Sequence, residues 1–173
     1  YRDILTQVLP PLAPCVDFQQ HTPHHRYDVY THTAHVVEAA PQDLALRWAA
    51  LLHDCGKPST FFLDENGKGH FHGHGAISAE LADALLLDLK APTALRERVV
   101  FLIAQHMIPL EPDKKLLRKW MGKYGQQAMF DWLALQQADF CGKGTGENAE
   151  VFSQIHQLLA EILEENACLH IGD

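Results

Sequence analysis

The chain has no run of about 18 apolar residues, so nothing in it is expected to span a bilayer. No basic segment followed by an apolar stretch opens it, so no secretion signal is expected either. It has no C-x-x-C pair. Cys15, Cys55, Cys141 and Cys168 are scattered, which excludes the usual structural zinc knuckles and a thioredoxin motif and suits reduced thiols in a cytoplasm. Positive charge is in deficit: 14 Lys+Arg against 22 Asp+Glu leave −8, which argues against a duplex-DNA binder with a broad basic face. Repeats and low-complexity tracts are absent. Two short patterns fail on inspection. Gly142-Lys143-Gly144-Thr145-Gly146 lacks the G-x-x-x-x-G-K-[ST] order of a P-loop and reads as a flexible connector. After Asp64 the acidic ligands of an EF-hand loop do not recur.

What is present is an ordinary globular composition. The chain has 173 residues, 47% hydrophobic and 21% charged, which suits one domain over 1–173 with a single core. It begins at Tyr1 rather than Met, as a piece of a longer protein would. The dominant period is helical, and it predicts helices near 2–9, 28–39, 42–54, 75–90, 93–106, 113–124, 126–140 and 147–168. Pro10, Pro11 and Pro14 separate the first helix from the rest. Pro41 and Pro92 fall at or near helix starts, and Asp113 is a candidate N-cap. The stretch 59–73 differs: two aromatic-bearing runs flank Glu65-Asn66-Gly67-Lys68, which predicts a small hairpin. The expected fold class is therefore all-α, a helical bundle with one hairpin or loop insertion. Charge is uneven along it. Lys114, Lys115, Arg118, Lys119 and Lys123 stand against one Asp, and Glu147 to Asp173 holds six acids with no Lys or Arg. Both runs read either as solvated faces or as a basic helix that steers a phosphate-bearing ligand.

Histidine is the outlier, with twelve in the chain, and several fall on apolar helical stripes. Val29, His32, Thr33 and Val36 stand at i, i+3, i+4, i+7. Leu46, Ala49, Ala50 and His53 repeat that spacing, as do His74, Ile77, Ser78 and Leu81, and Val99, Leu102, Ile103 and His106. Trp132, Leu135 and Asp139 stand at i, i+3, i+7. Residues so spaced share one buried face. One such His is usually a satisfied core residue, but five helices each bringing a His or Asp inward call for a common partner. An unpaired buried carboxylate at Asp139 would cost several kcal/mol. A cation removes that penalty, and imidazole with carboxylate suits Zn, Fe, Mn, Ni or Co. Adjacent helical residues point about 100° apart, so His53 and Asp54 reach one ion only near a helix end, which Gly56 and Pro58 supply. Lys57 is expected to emerge from the loop beside the ion. It would serve there as a phosphate contact or as a solvated lysine complementing the helix dipole.

These residues carry a resemblance. His32, the doublet in LLHDCGKP, and Asp139 in QQADF resemble the H…HD…D signature of the HD superfamily of metal-dependent phosphohydrolases. The wider stretch YDVYTHTAHVVEAAPQDLALRWAALLHDCGKPSTF, with GHFHGHGAISAELAD and RKWMGKYG, resembles the HD domain attached to bacterial CCA-adding tRNA nucleotidyltransferases. The similarity covers about 24–146, with 147–173 as a C-terminal helix. It implies that His32, His53, Asp54 and Asp139 ligate one metal and that His74 and His106 serve a second where two bind. One or two ions among Fe, Mn, Ni, Co, Zn and Mg are expected. No Gly-Gly nucleotidyltransferase motif with its acidic pair is present, so these residues do not themselves add CCA.

The chemistry expected is hydrolysis of a phosphomonoester, nucleotide or cyclic nucleotide by a metal-activated water. Asp54 would orient that water or take its proton, and Lys57 would offset charge on the phosphate. Several assignments stay open. His74 and His106 hold either a second ion or substrate phosphate. His35 would orient a ligand from behind, His24, His25, His70 and His72 would line the rim, and His21, His156 and His170 would lie on the surface. Cys55 and Cys141 would be packed. Arg118 and Lys119 either bind a nucleotide or RNA phosphate or ride on a helix buried through Leu116, Leu117, Trp120 and Met121. Two other readings compete with the enzyme: a non-catalytic, metal-stabilised module of a tRNA nucleotidyltransferase that helps position tRNA, and an interaction bundle without metal. No membrane or duplex-DNA partner is expected.

Overall fold

The computed structural model describes residues 1–23, 25–144 and 149–170, with side chains through 167. His24, Thr145, Gly146 and the side chains of Cys168 and His170 lie outside these residues. The helices in chain order are α1 Arg2–Val8, α2 Val29–Ala39, α3 Leu44–Leu52, α4 Lys57–Thr60, α5 His74–Asp88, α6 Thr93–Gln105, α7 Lys114–Tyr124, α8 Gln126–Gly142 and α9 Ala149–His170. The fold is all-α as expected. Its hairpin is the antiparallel pair β1 Phe62–Leu63 and β2 Gly69–His70, with Phe62 opposite His70. No described helix is long and apolar enough to cross a membrane.

Three helix starts are fixed by acidic caps. Asp28 accepts the Thr31 amide, Asp43 that of Leu46, and Asp113 those of Lys115 and Leu116, each satisfying donors that a helix start leaves orphaned. Helix α3 is central and packs against α2, α5, α6 and α8. Its small residues Ala45, Ala49 and Ala50 are fully buried and allow that close approach. The inward faces of α6 (Val99, Leu102, Ile103) and α8 (Met129, Trp132, Leu135) complete the core. α9 seals α7 and α8 through Ile155, Leu159 and Ile162.

Two elements depart from the helical reading. Pro10–Cys15 is a 3-10 helix with Leu9, Leu12 and Cys15 buried three residues apart, the spacing of 3.0 residues per turn. The chain after Asp54 is not a loop: Lys57–Thr60 forms the short α4, with Pro58 in its first turn. Gly56 must be glycine, since a Cβ there would stand 2.7 Å from the His74 carbonyl oxygen and 2.8 Å from the Ser78 nitrogen. Its amide donates to Ser78 Oγ at 2.9 Å, which fixes the end of α3 against the start of α5.

Candidate metal centre

Helix ends bring the polar side chains together. His53 is the C-cap of α3 and His106 that of α6, both still with right-handed helical backbone, while His74 opens α5. His32 lies in α2, and Asp139 lies one turn before the end of α8. The chain leaves α3 at His53, so Asp54 turns inward beside it, and both are buried. The sequence-predicted ligands His32, His53, Asp54, His74, His106 and Asp139 thus meet in one place.

The four histidines share one arrangement. Nδ1 of His53, His74 and His106 lies 2.8, 2.8 and 2.6 Å from the carbonyls of Ala50, Phe71 and Ile103, each three residues earlier. Nδ1 of His32 lies 3.2 Å from the Gly142 carbonyl. A carbonyl only accepts, so each Nδ1 carries the proton and each Nε2 is turned inward as the free donor atom, as in histidines that ligate metals.

Asp54 is shared between two clusters. Its Oδ2 lies 3.5 Å from His32 Nε2 and 3.3 Å from His53 Nε2. Its Oδ1 lies 3.2 Å from His74 Nε2 and 3.7 Å from His106 Nε2. Within each trio, His32–His53–Asp54 and Asp54–His74–His106, the ligating atoms lie within 4.8 Å of one another. Asp139 Oδ1 joins the first trio at 2.9 Å from His32 Nε2 and 3.4 Å from His53 Nε2.

This donor set fits a cation. His53 Nε2 and Asp54 Oδ2 are buried with no hydrogen-bond partner. Lys57 Nζ is 2.8 Å from that oxygen but off the angle of a hydrogen bond. The Nε2 atoms of His74 and His106 face each other at 3.2 Å. With both Nδ1 protons committed to carbonyls, two lone pairs oppose one another there unless a proton or a cation lies between them. Burial pushes the His106 imidazole down, which disfavours the proton.

The charges of the cluster hold one another. Burial alone would lower the His53 imidazole, but Asp54 and then Asp139 raise it to about 10. Burial alone would raise the Asp54 carboxyl, but His53 and Lys57 keep it well below the ordinary value. His32 and His53, whose Nε2 atoms face it, do the same for Asp139. A bound cation would meet the same two carboxylates with its own positive charge.

A cavity of about 270 Å³ opens over the cluster, with Asp54, Asp139, His74 and His106 in its wall. Three lysines reach it: Lys57, Lys68 and Lys143. Lys57 is buried, and its Nζ donates to Gln20 Oε1 at 2.8 Å and sits 5.2 Å over the Phe71 ring. Gln20 is itself held by donating to the Tyr27 carbonyl at 3.1 Å. Thr22 and His25 also line the space, and Thr22 Oγ1 and His25 Nδ1 are buried without partners. Burial, with Lys57 and His32 nearby, lowers the His25 imidazole to about 3.

Several expected residues lie elsewhere. Arg118 is absent from the cavity wall and pairs with Glu165 of α9, so the structure does not bring it to the metal cluster. His35 packs its ring 4.6 Å from Tyr27 and faces Glu38, away from the ligands. Cys55 is buried as expected, with Sγ 3.9 Å from the Ser78 carbonyl, but Cys141 is exposed because α8 turns it outward. His25, His70 and His72 line the cavity, and His21 and His156 are exposed. Lys57 is a buried helical residue rather than a loop lysine. Lys143 belongs to the segment expected as a connector, yet α8 runs through Gly142 and Lys143 Nζ reaches Asp139 Oδ2 at 3.1 Å. Its i+4 position from Asp139 was the available signal. Gln20 gave none, lying outside any periodic segment.

Comparison with known proteins agrees with this geometry. The HD domain family matches residues 24–139. An A-adding tRNA nucleotidyltransferase of Deinococcus radiodurans is 40% identical over 124 residues, covering 66% of this chain and 28% of that protein. A CC-adding tRNA nucleotidyltransferase of Thermus thermophilus is 34% identical over 174 positions, covering 96% of this chain and 40% of its own length. A multifunctional CCA protein of Aromatoleum aromaticum is 38% identical over 108 residues, covering 60% of this chain and 26% of its own length. The chain thus spans between about a quarter and two fifths of the curated relatives it matches. The match extends from the histidine-rich segment before α2 to Asp139, the last carboxylate of the cluster, and the chain belongs to the HD domain family.

Proposed function

We propose that the chain is a metal-dependent phosphohydrolase acting on a phosphomonoester, nucleotide or cyclic nucleotide. The observation that carries this reading is the set of four histidines whose Nδ1 atoms are anchored on carbonyls, so that their Nε2 atoms meet Asp54 and Asp139 under a lysine-lined cavity. His32, His53, Asp54 and Asp139 would hold one divalent ion, with His74 and His106 sharing Asp54 for a second. Such an ion supplies Lewis-acid activation of water and of a phosphoryl oxygen. Lys57 has three N–H donors. Gln20 takes one of them, and because Lys57 lines the cavity a donor would remain there for a phosphate oxygen. Where one ion binds, Asp54 would accept the proton of the attacking water through the oxygen that ion leaves free. The roles of these residues are supported by their convergence and burial. Arg118 has lost its support as a substrate contact.

A second reading makes the chain a metal-stabilised, non-catalytic module of a tRNA nucleotidyltransferase that helps position tRNA. The similarity to A-adding and CC-adding tRNA nucleotidyltransferases favours it, and a cytoplasmic location goes with either. The deciding experiment measures bound metal by elemental mass spectrometry and, in the same sample, hydrolysis of a chromogenic phosphate ester and a cyclic nucleotide with and without chelator. Metal with chelator-sensitive turnover is expected. Metal without turnover on any phosphate would transfer the weight to the module, and no metal after reconstitution with Mn, Ni, Co, Fe or Zn would end both readings.

A further inference from the structure

The lip of the cavity is made by the β1–β2 hairpin, whose two faces differ. Alternate residues of a strand share a face. Phe61 and Phe71 lie on one face with rings 5.4 Å apart, and Phe61 meets Phe18 edge-on at 5.2 Å. That face anchors the hairpin. Phe62, His70 and His72 lie on the other. Phe62 stacks on His70 at 5.2 Å and on His72 at 5.4 Å, the two histidines are 5.7 Å apart, and the three planes agree within 28°. This cluster does not close a core: Phe62 is 47% exposed, and His72 is exposed. It is nonetheless held in place. His70 Nε2 is 2.7 Å from Asp64 Oδ2, and Asp64 Oδ1 accepts the amides of Asn66 and Lys68, closing the turn. The same two histidines line the cavity that contains Lys57.

We propose that this ring cluster seats the base of a nucleotide whose phosphate lies below it beside Lys57, an inference that rests on the phosphate-binding reading of the cavity. Co-oriented rings with an open face suit a flat π-system, and stacking on aromatic rings tolerates any base. Because Asp64 already fixes the orientation, little ordering cost remains on binding. At about 270 Å³ the cavity stands at the lower edge of the roughly 300–1,000 Å³ of ligand pockets. Phosphate and sugar fill the cavity and leave the base at the lip. A sugar phosphate has nothing to place there.

The test measures binding to the metal-loaded protein by calorimetry, with adenosine 5′-monophosphate, ribose 5-phosphate and inorganic phosphate as probes. Wild type, Phe62→Leu and His72→Ala are compared. Wild type is expected to prefer the nucleotide over ribose 5-phosphate by about fivefold or more, the lower end of what a stacked base contributes. Phe62→Leu removes most of that preference and leaves the inorganic phosphate affinity unchanged, which also reports an intact cavity. Equal affinity for nucleotide and sugar phosphate in wild type, or a preference that survives in both variants, overturns the proposal. A protein that binds none of the three overturns the phosphate cavity together with the base seat. Binding with the expected preference but without turnover supports the seat and removes only the hydrolysis. The end of an RNA presents the same base and phosphate, so a ribotrinucleotide is run alongside. If it binds more tightly than the mononucleotide and loses affinity in Phe62→Leu, the seat receives a chain end. Equal affinities assign it to a free nucleotide.

Discussion

Two charged regions of this molecule are built in opposite ways. Between α7 and α9, Lys114 reaches Glu161 at 2.8 Å and Glu165 at 2.7 Å, and Arg118 also pairs with Glu165. These side chains are between about a third and a half exposed, and every charge there has a partner and water. At the cavity floor Asp54, His53 and Lys57 are almost wholly buried, yet His53 Nε2 and Asp54 Oδ2 have no hydrogen-bond partner. Surface pairs gain little because water screens them, whereas a buried donor left unsatisfied is expensive. Satisfied charges at the surface are ordinary architecture. Buried polar atoms without a hydrogen-bond partner, gathered in one place, are the donor set a cation would take.

The contrast predicts unequal responses to substitution. Asp54→Ala removes the carboxylate shared by both clusters. It should empty the site of metal by elemental analysis and lower phosphate turnover by about 10²–10⁴-fold. Retention of either would remove Asp54 from the centre. Arg98 stands between the extremes: it is one third exposed, but it donates to Asp131, which is buried, and to Asp43. Arg98→Ala strands the Asp131 carboxylate with only Gln127. It should cost about 2–4 kcal/mol in denaturant unfolding, below a fully buried pair because water reaches the guanidinium. Loss of metal in that variant would mean that this pair and the centre are not independent.

Gly56→Ala adds no charge but forces α5 from α3, and it should cost about 1–3 kcal/mol with a fall in metal affinity. An unchanged melting temperature would show that the contact between these helices yields freely. Asp43 gives a pH effect. Burial alone would raise its carboxyl, but the Leu46 amide and Arg98 lower it. A lowered carboxyl contributes stability that is present above its unfolded value, near 3.9, and lost as pH falls through the folded one. Melting measured from pH 5 down to pH 3 should therefore fall less steeply in Asp43→Asn than in wild type. Arg118→Ala should be the mildest. Metal content and KM should stay at wild-type values from low to physiological salt, and a salt-dependent rise in KM would restore the phosphate contact that its pairing with Glu165 argues against.

The candidate ligands were legible in the sequence because burial imposes a period. His32, His53, His74 and His106 each fell in register with neighbours such as Val36, Ala49 and Ile103 that had to face inward. The hairpin was legible from its turn residues. The 3-10 helix does not show in a 3.6-residue period, and its prolines look like breaks, although Leu9, Leu12 and Cys15 carry a spacing of three. The packing expected for Cys55 does not extend to Cys141, which α8 places outside. His35 shares a helix with His32 but turns about 60° away from it, counting three residues at about 100° each. The basic run on α7 found its acids on α9, about 47 to 51 residues later, a distance over which local charge counting has no reach.

Chain separation also divides the centre in time. The Gly56–Ser78 contact that joins α3 to α5 closes 22 residues, and His74 meets His106 across 32. His32 meets Asp139 across 107 and Gly142 across 110. Short loops close sooner and at lower entropic cost than long ones. During folding the half of the centre around His74 and His106 would therefore be expected to take shape first, and the half around His32 only once α8 has returned. A chain arrested before that return would present a partial ligand set, with only the late-closing helix left to complete it.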